Sequence, residues 1–335
     1  MRKPKKLIND RNAVAREQFE GFMAAMSSDL ESISNHTCAI RKAPLNGKVA
    51  VFTGGGAGHE PMYGGYVGEG LADAVAIGDV FAAPTPDAIF ETALALNPEN
   101  GVVFIYGNYA GDNMNFDIAA ELLEDEGVRT HTIRVNDDVI SAPIDNSKER
   151  RGIAGALFVL KVAGAAAARG DSFEQVVEVG EHALRSTSSI GVALGPCAIP
   201  RNEGFNFQIP DDEIEIGMGL HGEPGVGKSK LSSADDVVFE VMTKLQQEAD
   251  LKEGDEVALL VNNLGASTQM ELLIANRAVH HYLSEKKVSV VDNLIGGYCT
   301  SLEMSGWSIS LLKLDEQLKS LYQAPCQSFA LRKSL

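Results

Sequence analysis

Three glycine-rich segments carry side chains able to do acid–base or nucleophilic chemistry. Thr53-Gly-Gly-Gly-Ala-Gly-His59-Glu-Pro61 follows Val49–Thr53, an apolar run that reads as a buried strand. Glycines there open backbone N–H groups to a ligand and permit positive φ, and His59 adds a titratable ring. A plain tight turn has a similar composition, but ligand binding is the favoured reading, and the histidine within the segment strengthens it. Asn108-Tyr-Ala-Gly-Asp112-Asn-Met-Asn115 follows the next strand pattern, Val102–Tyr106, again at a carboxyl end, where open α/β sheets bind ligands. Asp112 suits a helix N-cap, and beside the first loop it would also suit a general base for an alcohol. Gly217-Met-Gly-Leu-His221-Gly-Glu-Pro-Gly225 follows a third strand pattern and sets His221 among glycines, at a loop rather than in a core. A lone histidine more often serves as a structural hydrogen-bonder.

A misleading match overlaps the third segment. Gly222-Glu-Pro-Gly-Val-Gly-Lys228-Ser229 fits the phosphate-binding P-loop pattern letter for letter. A true P-loop starts its helix at the Lys-Ser pair, so that the helix N-terminus faces the phosphates. Here Lys228-Ser-Lys-Leu-Ser-Ser233 offers no apolar helix face, and the better helix start is Ser233. The sequence therefore argues against nucleotide binding at this segment.

Strands and helices must alternate to place these segments. Thr130–Val135 reads as a strand, Phe116–Glu126 as a crossover helix, and Gly155–Arg169 as a small-residue helix that can pack closely. Ser172 and Gln175 have capping-box spacing and open a helix ending near Arg185. A second α/β pattern follows, with strands at Ile190–Leu194, Glu213–Met218, Val257–Val261, Val288–Val291 and Ser308–Leu314. Its helices lie at Asp235–Glu248 and Met270–Ser284. The expected fold class is α/β, as two domains (1–185 and 186–335), each a sheet flanked by helices.

The chain has 335 residues, 44% of them hydrophobic, enough to bury a sizeable core. Its net charge of −17 argues against nucleic-acid or anionic-membrane partners, which demand clustered Lys and Arg. The one basic tract, Arg2-Lys3-Pro4-Lys5-Lys6, reads as a frayed terminus. The four cysteines, Cys38, Cys197, Cys299 and Cys326, have no CxxC spacing, so neither a zinc site nor a disulfide framework is expected. With no secretion signal and no membrane-length apolar run, a soluble cytoplasmic protein is expected.

The three segments, in this order, resemble the dihydroxyacetone kinase family, specifically its ketone-binding subunit or domain. The resemblance runs through Leu7-Ile-Asn-Asp10, Pro84-Thr-Pro-Asp87, Arg150-Arg-Gly-Ile-Ala-Gly155, Ile190-Gly-Val-Ala-Leu194, Leu260-Val-Asn-Asn-Leu-Gly-Ala266 and Leu294-Ile-Gly-Gly-Tyr-Cys-Thr-Ser-Leu302. It implies that His221 forms a covalent hemiaminal with the carbonyl of dihydroxyacetone or a similar short ketose. It further implies Asp112 as the base for the terminal hydroxyl, His59 as a neighbouring hydrogen-bonding or proton-relaying group, and backbone amides near Gly55 and Gly56 as holders of a substrate oxygen. No cofactor is expected in this chain, because fused members continue into a helical nucleotide domain where it stops. ATP or ADP and magnesium belong on a separate partner subunit, recharged in the bacterial system by a phosphotransferase-system donor. A homodimer is implied as well.

The sequence also departs from the family. Gly107 stands where a Lys is usual, Ala83 where a Ser is usual, and Ser147-Lys-Glu149 replaces a Thr-x-Gly; Ala324-Pro-Cys-Gln-Ser-Phe-Ala330 has drifted. Losing the Lys and the Ser hydroxyl removes two polar anchors and enlarges the pocket. Two alternatives to a dihydroxyacetone kinase subunit follow. One is a kinase subunit for a four-carbon ketose such as erythrulose. The other is a non-catalytic ketone sensor that co-regulates transcription.

Overall fold

The computed structural model describes residues 5–33, 35–202, 204–225 and 227–334, so of the basic start only Lys5 and Lys6 lie within it. In chain order the elements are α1 (Val14–Ala25), β1 (Leu30–Ile33), β2 (Cys38–Arg41), β3 (Ala50–Ala57), β4 (Gly68–Glu69), β5 (Ala74–Val80), α2 (Pro86–Ala95) and β6 (Val102–Gly107). Then come α3 (Ala110–Asp125), β7 (Thr130–Val135), α4 (Ala156–Arg169), α5 (Phe173–Arg185), β8 (Thr187–Gly195), β9 (Glu213–Ile216) and β10 (Gly227–Lys230). The chain finishes with α6 (Ala234–Glu248), β11 (Glu256–Asn263), α7 (Gln269–Glu285), β12 (Ser289–Gly296), β13 (Ser305–Leu314), α8 (Glu316–Gln323), β14 (Cys326–Ser328) and β15 (Arg332–Lys333). This is a mixed α/β architecture.

Two compact units emerge. One, here the Asp112 unit, comprises Lys5–Val135, Ala156–Ala183 and Leu318–Leu335. The other, the His221 unit, contains Asn136–Gly155 and Leu184–Gln317. The chain passes between them beside residue 185 and again near 135, 155 and 317. The segment bearing Arg150 and Arg151 thus belongs with His221.

The Asp112 unit is built on a six-stranded sheet in the order β1-β2-β5-β3-β6-β7. β5, β3, β6 and β7 are parallel, so the loops leaving β5, β3 and β6 share one sheet edge. Phe52, Phe104, Tyr106, Phe116 and Ile89 form its core, with the Tyr106 and Phe116 rings stacked 4.1 Å apart. On α4 a side chain at Gly164 would lie 2.5 Å from the Leu71 backbone, so only a bare Cα permits this packing. Ser172 and Gln175 make the reciprocal capping bonds at the start of α5. A small sheet, β15-β14-β4, ties the C-terminal segment to residues 68–69.

The His221 unit has its own six-stranded sheet, β10-β9-β8-β13-β11-β12, with only the β11–β12 pair parallel. Its core joins Ile190, Ile214, Val241, Leu259, Val279 and Ile309. Ser233 caps α6 by accepting the Asp236 N–H. A full capping box of Thr268 and Glu271 opens α7.

Several boundaries differ from expectation. β3 runs through Gly54, Gly55 and Gly56 as far as Ala57, so the first glycine segment is a strand end rather than a loop. α3 starts at Ala110, which puts Asp112 in its first turn; Tyr109, not Asp112, occupies the N-cap position. Lys228 and Ser229 lie in β10, paired antiparallel with Glu215 and Ile214, and the following helix begins beyond Ser233. Val226 of the P-loop match lies outside the described residues. A strand cannot present the ring of N–H groups that a helix N-terminus offers a phosphate, so the match is accidental. All four cysteines are buried with free thiols. Among the described residues no helix is long and apolar enough to cross a membrane.

Candidate active site

In the Asp112 unit the end of β3 packs backbone to backbone against its neighbours. A Cβ on Gly55 would fall 2.3 Å from the Tyr63 ring, and one on Gly56 would fall 2.7 Å from the Ala82 nitrogen. Real Cβ atoms do not approach that closely, so the glycine run is a packing requirement. His59 follows at once and is 1% exposed. Its ring stacks on Phe81 at 4.9 Å and meets Tyr63 edge-on at 6.5 Å. Phe81 adopts φ +58, a left-handed conformation that is uncommon for a bulky residue. Its N–H donates to Ala57 O at 2.9 Å, which ties the loop after β5 to the end of β3. Both Glu60 oxygens accept the Gly58 N–H, and burial pushes the Glu60 carboxyl above its ordinary range.

Asp112 is 8% exposed. In the first turn of α3 it sits where the helix dipole favours a negative charge. The turn is secured on both sides. Asn113 Nδ2 donates to Asn108 Oδ1 at 2.8 Å, and Asn115 Nδ2 donates to Pro84 O at 2.8 Å. Ala83 borders this turn, since a Cβ on Gly111 would lie 3.6 Å from its methyl. The structure thus gathers Gly55, Gly56, His59, Ala83 and Asp112 within one unit, at the carboxyl ends of adjacent strands.

His221 sits in the other unit, on the loop after β9, with its side chain 25% exposed. Its Nδ1 lies 2.8 Å from Glu223 Oε1, and its backbone N–H donates to Glu223 Oε2 at 3.0 Å. Burial works to raise the Glu223 carboxyl, but the hydrogen bond and charge of His221, with backbone N–H donors, bring it down to about 2. An ionised carboxylate only accepts, so the Nδ1 carries the proton and a neutral ring has its lone pair on Nε2. The loop itself is tightly held. Gly219 N donates to Glu223 O at 2.9 Å, Asn206 Nδ2 to His221 O at 3.1 Å, and Ser301 Oγ to Leu220 O. Gly225 N donates to the buried Glu215 at 2.7 Å.

Sequence reasoning missed Glu223, Phe81 and Tyr63 as parts of these arrangements. Glu223 stands two residues from His221, and that spacing was a usable signal. Nothing local marks Phe81 or Tyr63, whose roles arise only when the β5 loop and the 60–69 turn meet the end of β3.

Comparison with known proteins extends this picture. The Dak1 domain family matches residues 20–330. The chain is 39% identical over 326 residues to the Listeria innocua protein "PTS-dependent dihydroxyacetone kinase 2, dihydroxyacetone-binding subunit DhaK", covering 97% of this chain and 98% of that one. It is 36% identical to the L-erythrulose kinase of Pectobacterium atrosepticum, covering 98% of this chain but 56% of the longer relative. Among solved structures, the dihydroxyacetone kinase operon co-activator Dha-DhaQ superposes with a TM-score of 0.89 at 29% identity, over 95% of this chain and 98% of that one.

Proposed function

This chain belongs to the Dak1 family, alongside dihydroxyacetone-binding subunits of dihydroxyacetone kinases, and on that premise we propose that it holds dihydroxyacetone for phosphorylation. The observation that carries the reading is the His221–Glu223 pair, which turns Nδ1 to the carboxylate and leaves Nε2 as the ring atom able to act as nucleophile. In the proposed capture, Nε2 adds to the carbonyl carbon and the C=O π bond opens. The alkoxide oxygen takes up one proton from solvent, and the ring, now cationic, either stays paired with the Glu223 carboxylate or passes its Nδ1 proton to it. No leaving group departs, so the hemiaminal is reversible. Such a bond selects ketones and aldehydes over polyols.

Phosphorylation then needs a base for the terminal hydroxyl, and Asp112 supplies a carboxylate at a helix N-terminus. His59, held by Phe81 and Tyr63, hydrogen-bonds nearby, and the Gly55 and Gly56 amides hold a substrate oxygen. Nucleotide and magnesium reside on a partner subunit, charged through a phosphotransferase system, and the chain acts in the cytoplasm as a homodimer. Phosphoryl transfer is chiefly positioning and charge neutralisation, so dividing it between two chains is chemically sound.

Two observations support narrower variants. Ala83 and Gly107, together with the likeness to an erythrulose kinase, favour a four-carbon ketose as a further substrate. The likeness to an operon co-activator favours ketone sensing without turnover. Titration calorimetry with dihydroxyacetone, erythrulose and glycerol tests the reading. The ketoses should bind and glycerol should not; equal binding of glycerol would remove carbonyl capture.

A further inference from the structure

Residues 217–225, the described part of the His221 loop, form no helix or strand, yet the loop must hold one ring in one orientation. One side chain grips both ends of the turn. Arg151 Nη2 donates to Gly217 O at 2.6 Å and Arg151 Nη1 to Glu223 O at 3.4 Å. The guanidinium is itself held by Asp138, whose fully buried carboxylate accepts from Nη2 at 2.8 Å and from Nε at 3.1 Å. Backbone bonds lock the two segments together, with Asp138 N donating to Arg151 O and Arg151 N donating to Ser141 Oγ, each at 3.0 Å. Gly219 completes the fit. A Cβ there would lie 2.1 Å from Glu223 Oε2 and 2.6 Å from Arg151 Nη1.

We infer that Arg151 is a positioning residue for ketone capture: anchored by Asp138, it clamps the Gly217–Glu223 turn so that Glu223 holds His221 in the reactive tautomer. The inference rests on the capture reading above. A planar fork that serves a carboxylate on one side and two carbonyls on the other is a task for arginine; a lysine ammonium cannot span it. The neighbouring Arg150 faces elsewhere, pairing with Glu248 at 2.7 and 3.1 Å and with Ala142 O at 2.9 Å. It serves as an internal control of similar burial and charge.

The test uses the full chain with Arg151→Lys, Arg151→Gln, Arg150→Lys and wild type. Dihydroxyacetone labelled with carbon-13 at its carbonyl reads capture, and nitrogen-15 shifts of His221 read its tautomer. Both Arg151 variants should weaken capture at least tenfold and blur the single Nδ1–H signature, whereas Arg150→Lys should match wild type. Capture within twofold of wild type, with an unaltered tautomer signature in both Arg151 variants, overturns the inference. Should Arg151→Gln fail to fold, Arg151→Lys, which keeps a cation beside Asp138, decides alone. If wild type forms no adduct, the capture reading fails, and the nitrogen-15 signature still decides for or against the clamp.

Discussion

Nδ1 of His221 and Oε1 of Glu223 lie 2.8 Å apart, while the backbone N–H of the same histidine donates to the other Glu223 oxygen. A carboxylate bound twice to one residue fixes both the rotation of the ring and the nitrogen that bears its proton. Glu223→Gln retains the shape but loses the charge. Charge-assisted bonds are stronger than neutral ones by about 1–2 kcal/mol, so dihydroxyacetone affinity should fall roughly five- to thirtyfold, measured by calorimetry. Unchanged affinity would detach Glu223 from capture.

The same carboxyl should leave a mark on acid stability. Its ionisation in the folded protein is depressed to about 2 from an ordinary value of 4.5. The stabilisation is therefore fully present above pH 4.5 and is lost as pH falls from there toward 2. Urea midpoints of Glu223→Gln should decline less steeply than wild type across that window. Parallel curves would contradict the coupling.

Asp112→Asn tests the division of labour. It removes the proposed base but leaves the His221 unit untouched, so ketone capture should persist. Phosphorylation with a nucleotide-bearing partner should drop by about 10²–10⁴, the usual weight of a general base. Full turnover in this variant would exclude Asp112 as the base.

Gly55→Ala should be costly for a reason unrelated to ligand contact. The new methyl would meet the Tyr63 ring at 2.3 Å, and Tyr63 lies edge-on to His59. Overpacking of this kind costs about 1–3 kcal/mol, and thermal unfolding should report it. A neutral effect would show that the 60–69 turn yields easily.

Lys228→Ala should do almost nothing. Lys228 is exposed on β10, and such substitutions usually stay within about 0.5 kcal/mol. Tight ATP binding by the isolated chain, lost in this variant, would contradict the assignment of Gly222–Ser229 as an accidental match.

Long, periodic elements were the most legible part of the fold. β7 begins and ends where expected, and α5, α6 and α7 were marked by Ser172, Ser233 and an apolar period. Elements without such contrast were not read. β5, Ala-Val-Ala-Ile-Gly-Asp-Val, is too rich in small residues to stand out, and α2, which opens on Pro86, was not read either. The crossings near 135 and 155 left no trace in composition, because they are defined by packing partners distant in sequence. Of the site, His59, Asp112 and His221 were visible as residue types in glycine-rich settings. Their support was not: Arg151 grips the His221 loop from 66 residues away, across a separation that local patterns do not encode.

Carbon-13 spectroscopy of carbonyl-labelled dihydroxyacetone bound to wild type and to His221→Ala tests the central claim most directly. Capture predicts that the bound carbonyl carbon moves from the ketone region to that of a tetrahedral carbon bearing nitrogen and oxygen, and that this signal vanishes in His221→Ala. A bound ligand that keeps its ketone resonance, or a tetrahedral signal that survives without His221, would contradict it.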